Sequence, residues 1–253
     1  MNLQPFKTNG HQIIRGLVDL PVVEEISDFL GQSIQSAKEI LHEAGLAVDG
    51  PDFQTALAEN QNLSQVAHSV LLGHFPLETR LSRVLWEAPR LGAVQSMLKE
   101  ALECDRLYMH MPPTARYVLP GNRRAGVPPH QDVSYNRHMA DFLVMWMPLV
   151  PITEQCGGVV VYDGSNQPIE QNRYEDGRDW LGDIDTSNYT KTICAPMAPG
   201  DVLLLNRWIV HGSAPNTSDT TRISVDYRFF GSPQSEKHYL NLQNFEVVEP
   251  QAA

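Results

Sequence analysis

A chain of 253 residues with 42% apolar content is long enough for one large domain with a substantial core. A net charge of −11 repels phosphate backbones and argues against nucleic acid as a partner, and no apolar run reaches membrane-spanning length. The N-terminus "MNLQPFKTNGHQIIRG" has no basic start followed by an apolar stretch, and the scattered Cys104, Cys156 and Cys194 form no disulfide framework, so a reducing cytoplasm is expected.

The first third reads as helical. Residues 19–46 form an amphipathic helix, with Asp19 as cap, Pro21 in the first turn, and Val23, Ile26, Leu30, Ile34, Ala37 and Leu41 at spacings of three and four; Gly45 stops it. A second helix runs from about Leu63 to Leu72. A third starts near Pro76 and carries Leu77, Leu81, Val84 and Leu85, and Pro89 opens a fourth in "PRLGAVQSMLKEALE". Single apolar stripes mean that these helices lie against something else.

From Arg106 the texture changes. "RLYMHM", "ARYVL", "DFLVMWMPLV", "GGVVVYDG", "TKTICA", "DVLLLN" and "TRISVDYRFF" are short, rich in β-branched and aromatic residues, and bounded by Pro, Gly, Asn or Asp. Seven or eight such strands without intervening helices suggest an antiparallel sandwich or barrel. "WIV", residues 208–210, also reads as buried strand. The long connection over 165–189 is a candidate lid.

Within this half, "VPPHQDVSY" places His130 and Asp132 two apart, on one face if the segment is extended. His211 is the outstanding third ligand. It precedes a Gly-Ser-Ala-Pro-Asn turn, and Arg222 follows eleven residues on with Ser224 beside it. Two imidazoles and a carboxylate on one face are the ligand set of non-haem Fe(II) oxygenases. A guanidinium after the distal histidine can grip a co-substrate carboxylate with a two-pronged hydrogen bond.

In this order the chain resembles the phytanoyl-CoA dioxygenase-like branch of the Fe(II)/2-oxoglutarate oxygenases. "PHQD" (129–132), "VMWMPLVPITEQCGGVVVYDGSN" (144–166) and "HGSAPNTSDTTR" (211–222) are similar to its proximal, middle and distal segments. One departure is Gly164-Ser165-Asn166, where the family has Gly-Ser-His; that turn is expected to support the barrel end. The resemblance covers about residues 105–232. It implies a mostly β fold, a double-stranded β-helix or jelly-roll barrel buttressed by N-terminal helices. It also implies a single domain over 1–253, with 1–104 mainly helical support and 105–232 the jelly-roll core.

The resemblance further implies Fe(II) on His130, Asp132 and His211, with O2 and 2-oxoglutarate as co-substrates. The far carboxylate of 2-oxoglutarate meets Arg222 and Ser224, and Trp146 lines its pocket. Tyr108, His110, Arg116 and Tyr117 are candidates for its other carboxylate. Asp132, present as a carboxylate, favours hydroxylation over halogenation. Arg123, Tyr135, Arg137 and Arg228 are candidates for contacts to a small or mid-sized metabolite, in secondary metabolism by the family's habit. Succinate and CO2 are the expected co-products. Two other readings stay open: a jelly-roll protein that binds metal or ligand without catalysis, and a Zn(II) hydrolase. The sequence leaves the oligomeric state undetermined.

Overall fold

The computed structural model describes residues 1–46, 63–169, 184–233 and 236–250. Helix α1 (Gln4–Asn9) leads into β1 (His11–Ile14) and then α2 (Leu20–Glu43). The six apolar positions read from the sequence are the six buried residues of α2. Each of the larger ones is worth roughly 1.5–3 kcal/mol of burial. The helix is shorter than the expected 19–46. Its chain turns at Gly45, where φ is +80°, and the Asp19 side chain makes no capping bond.

Helix α3 (Gln65–Leu71) is capped by Ser64, whose hydroxyl accepts from the Ala67 amide. The third expected helix breaks in two: α4 (Leu77–Arg80) and a 3-10 turn over Arg83–Trp86. Ser82 divides them, its hydroxyl accepting from the Val84 amide. Leu77 and Leu81 are exposed, whereas Leu85 is buried and Val84 packs against the core, so only the second half of the stripe read there faces inward. Pro89 lies inside the short α5 (Glu87–Arg90), and α6 (Gly92–Leu102) follows as a separate helix.

The strands are β2 (Tyr108–His110), β3 (Thr114–Val118), β4 (Phe142–Pro148), β5 (Val159–Asp163), β6 (Thr190–Ile193), β7 (Val202–Asn206), β8 (His211–Ser213), β9 (Arg222–Phe230), β10 (Tyr239–Asn241) and β11 (Glu246–Val248). They make two antiparallel sheets. The large one runs β1-β7-β4-β9-β2-β10-β11, with β3 also on β9; the small one runs β6-β5-β8. This is the jelly-roll architecture expected. Four elements extend it beyond the sequence reading. β1 adds a strand from the supposedly helical third, β8 begins at His211 itself, and β10 and β11 lie past residue 232. "WIV" is a turn rather than a strand.

Two apolar clusters divide the interior. One joins α2, α3 and α6 to the outer face of the large sheet, through Met109, Tyr117, Leu143, Met145, Val225, Tyr227 and Phe229. The other fills the space between the sheets, with Val144, Trp146, Leu203 and Leu205 facing Val159 and Val161. Strand β9 belongs to both, because its successive side chains point to opposite faces. Of the candidate lid, residues 170–183 lie outside the described residues.

Candidate metal and co-substrate site

Pro128 and Pro129 keep the chain extended up to His130. His130 then pairs with His211 of β8: the His130 amide donates to the His211 carbonyl (2.9 Å) and the His211 amide to the His130 carbonyl (3.0 Å). This bridge brings the proximal and distal segments together across the open end of the small sheet, with ring centroids 4.3 Å apart. Each imidazole uses its Nδ1 on a backbone carbonyl, His130 on Pro128 (2.9 Å) and His211 on Ile209 (3.1 Å). With Nδ1–H donating outward, each Nε2 keeps its lone pair for the site.

Asp132 does not continue the extended segment. It begins a 3-10 turn (Asp132–Ser134), which still returns its carboxylate to the histidines. One ligand atom from each of His130, Asp132 and His211 lies within 4.8 Å of the others, and all three residues are buried. Oδ2 of Asp132 is buried with no hydrogen-bond partner, a costly position for a carboxylate oxygen unless a cation meets it. Two imidazoles and this carboxylate suit a divalent transition metal. Burial, and then the neighbouring His130, push His211 down to about 4, so it is neutral near pH 7, as a ligand must be.

The other oxygen of Asp132 is occupied. Oδ1 accepts from the Tyr135 hydroxyl and from Arg228 Nη2 (3.2 Å). Arg228 Nη2 also approaches the Tyr135 hydroxyl at 3.2 Å, and its Nη1 donates to Thr114 Oγ1 at 3.0 Å. Asn136 Nδ2 holds the Asp132 carbonyl at 3.0 Å. Burial raises the Asp132 carboxyl, but the Arg228 guanidinium and the two imidazoles outweigh it and hold the group well below the usual carboxylate range. Burial and the facing Asp132 carboxylate push the Tyr135 phenol up, so it is a neutral donor.

Along β9 the inward positions are Arg222, Ser224, Asp226, Arg228 and Phe230. At the far end from Asp132, Arg222 is buried. Its Nη1 donates to the carbonyls of Gly157 and, at 3.3 Å, Ala214. Gly157 permits this seat: its φ is +72°, and a Cβ there would lie 2.3 Å from the Pro215 carbonyl. No carboxylate of the described residues pairs with Arg222, and burial lowers it to about 10. A ligand carboxylate is the partner such a guanidinium lacks. Ser224 sits two residues along on the same face, and Trp146 lies opposite Asp226 on β4.

The other expected site residues divide. Tyr108 faces the lumen, stacked on Phe230 (5.7 Å between centroids), one register past Arg228. Tyr117 does not reach the lumen: its ring packs against the helices and its hydroxyl donates to the Val70 carbonyl at 2.7 Å. Arg116, on the opposite face of β3 from Tyr117, is across from Ser224. Arg123 is exposed on a 3-10 turn, at a cleft of about 280 Å³ shared with Val118, Ser213, Ala214 and Asn216. Arg137 is exposed as well. Tyr135 and Arg228 meet Asp132 instead of standing free toward a substrate. Ser165 does support the barrel end, accepting from the Val210 amide at 2.9 Å.

Four contributors escaped the sequence reading, the first being Asn136 on the Asp132 carbonyl. Asp226 follows from the alternation that marks Arg222 and Ser224, and burial, with Asp132 adding to it, raises its carboxyl to about 6 despite Arg228, Arg116 and Arg222. Thr114 and Gln131 carry no sequence signal. Gln131 is fully buried and ties the ligand segment to the carbonyls of Gln167 (2.8 Å) and Trp208.

Comparison with known proteins agrees with this geometry. The 1-deoxypentalenic acid 11-beta-hydroxylase of Streptomyces arenae is 36% identical over 112 residues, 40% of this chain and 40% of that protein; its counterpart from Streptomyces exfoliatus is 35% identical over the same length. The match thus spans about two fifths of those relatives. EvdO2 from Micromonospora carbonacea var. aurantiaca superposes with a TM-score of 0.64 at 18% identity, over 91% of this chain and 89% of EvdO2. The epimerase SnoN from nogalamycin biosynthesis, solved with Fe3+ and alpha ketoglutarate, gives 0.60 at 13% identity, over 92% and 83%. These structures share the fold. The family model for phytanoyl-CoA dioxygenase (PhyH) matches residues 6–224, and the chain therefore belongs to the phytanoyl-CoA dioxygenase family.

Proposed function

We propose that the protein is an Fe(II)- and 2-oxoglutarate-dependent dioxygenase that hydroxylates an unactivated C–H of a small or mid-sized metabolite. The observation that carries this reading is the pair of unmet demands at the two ends of one trough. At one end Asp132 Oδ2 is buried without a partner; at the other Arg222 is buried without a carboxylate. A metal answers the first and the far carboxylate of a 2-oxoacid the second. Bound there, iron and its co-substrate supply the oxidising power, with succinate and CO2 released.

The chain's own residues bind and orient. His130, Asp132 and His211 would hold the metal on one face, and Arg222 and Ser224 the co-substrate tail. The apolar wall of Val144, Trp146, Leu203 and Val161 excludes water from the space between them. The two curated relatives are named as hydroxylases of 1-deoxypentalenic acid, which supports a small-molecule substrate. All three cysteines are free, which suits a reducing cytoplasm.

The test is an anaerobic titration of Fe(II)-loaded protein with 2-oxoglutarate, following the visible charge-transfer band of the chelate. Wild type should develop the band. Arg222→Ala should shift the titration by roughly 2–5 kcal/mol, about 30-fold or more, because it removes one partner of a buried charge pair. Metal-loaded wild type with no band at any co-substrate concentration would overturn the reading.

A further inference from the structure

Arg228 and Tyr135 reach Asp132 from different elements, β9 and the turn after the proximal segment, yet meet on the same oxygen. An ionised carboxylate oxygen has two lone pairs to offer. Both lone pairs of Oδ1 are taken, one by the Tyr135 hydroxyl and one by Arg228 Nη2, with His130 Nε2 3.7 Å from the same oxygen, while Oδ2 has no hydrogen-bond partner among the described residues. The two donors are themselves fixed. Arg228 is anchored across the sheet on Thr114, and its guanidinium lies 5.5 Å from the Tyr135 ring centroid. Asn136 pins the backbone of the same residue. Asp132 therefore has one orientation and one free oxygen.

We propose that Arg228 and Tyr135 are positioning residues that restrict Asp132 to one-oxygen coordination of the metal, keeping the remaining metal positions open for small ligands. This rests on the metal site proposed above. Without the two donors, Oδ1 becomes free to bind alongside Oδ2, and the carboxylate spreads over two positions. Outer partners of this kind orient the ligand and raise its affinity, and their loss typically weakens metal binding by about 10- to 100-fold.

The sign of the effect separates this role from a bystander's. A guanidinium beside a divalent cation repels it. If Arg228 were only a nearby charge, Arg228→Gln would tighten metal binding; as a positioning residue its loss weakens it. The experiment is a titration of metal-free, full-length protein with Co(II), reading affinity by competition and coordination by the visible d–d bands. Wild type, Tyr135→Phe and Arg228→Gln are compared, with circular dichroism of each metal-free protein as the fold control. Both variants should bind Co(II) about 10- to 100-fold more weakly, with an altered band pattern, and the double variant should lose little more than either single one, since both act through one oxygen. Equal or tighter binding by Arg228→Gln with unchanged bands overturns the proposal. Should that variant not fold, Tyr135→Phe decides alone, because it deletes a single hydroxyl: unchanged affinity and bands overturn it. Failure of wild type to bind Co(II) at all removes the metal site itself, and this inference with it.

Discussion

The two faces of β9 are built from alternate residues of one nine-residue strand, and they share almost nothing chemically. Outward, Ile223, Val225, Tyr227 and Phe229 enter the cluster under the helices. Inward, Arg222, Ser224, Asp226 and Arg228 line the trough that ends at Asp132. The outer face supplies stability and the inner face spends some of it, since three charged groups are held there away from bulk water. The largest expected effect tests this division from the outer side. Phe229 is fully buried with its ring centroid 6.0 Å from that of Tyr227, so Phe229→Ala should cost about 3–5 kcal/mol of unfolding free energy. For a chain of this size that lowers the melting temperature by roughly 10 °C. Co-substrate affinity of the folded fraction should stay within about twofold. A comparable fall in affinity would mean that the two faces are not independent.

Asp226 sharpens the contrast from the inner side. Burial, reinforced by Asp132, raises its carboxyl to about 6, whereas an unfolded aspartate titrates near 3.8. Below pH 4 both states are protonated and the group contributes nothing. As the pH rises toward 6 the unfolded chain releases its proton more readily, so the folded state loses stability, and above 6 the cost is constant. Asp226→Asn should therefore stabilise the metal-free protein by about 1–3 kcal/mol at pH 7.5, a gain that fades as the pH falls to 4. Chemical denaturation of both proteins at several pH values measures it. A variant less stable than wild type at pH 7.5 would mean that the three arginines around Asp226 make its charge favourable.

What the sequence carried and what it hid follow from the same alternation. That His130, Asp132 and His211 meet, with Arg222 buried on the same sheet, was legible because their residue types are rare together and their order is distinctive. α2 was legible because an apolar stripe with one buried face has a clear period. The face of Tyr117 was not, because alternation along β3 says which residues share a face, and nothing in "TARYV" says which parity enters the lumen. Register against β9 decides that, and register is a long-range fact. Tyr135 and Arg228 were read as substrate contacts; that both hydrogen-bond Asp132 is a pairing between separate elements, which the sequence does not display. β10 and β11, three residues each, are too short to show a period, and β11 is largely exposed.

The smallest effect settles the face of Tyr117. Its hydroxyl donates to the Val70 carbonyl, and Gly73, with φ at +74° and no room for a Cβ beside the Tyr117 carbonyl, brings the end of α3 down onto β3. Tyr117→Phe keeps the ring and removes one buried hydrogen bond, while the Val70 carbonyl keeps the Gly73 amide (2.9 Å), so it should cost about 0.5–1.5 kcal/mol of stability. Because the ring lies on the helix side, 2-oxoglutarate affinity should not change. The opposite outcome, intact stability with a tenfold or greater loss of co-substrate affinity, would put the hydroxyl in the trough. It would also shift the register of β3 on β9 by one residue, turning Arg116 outward and every neighbouring side chain with it.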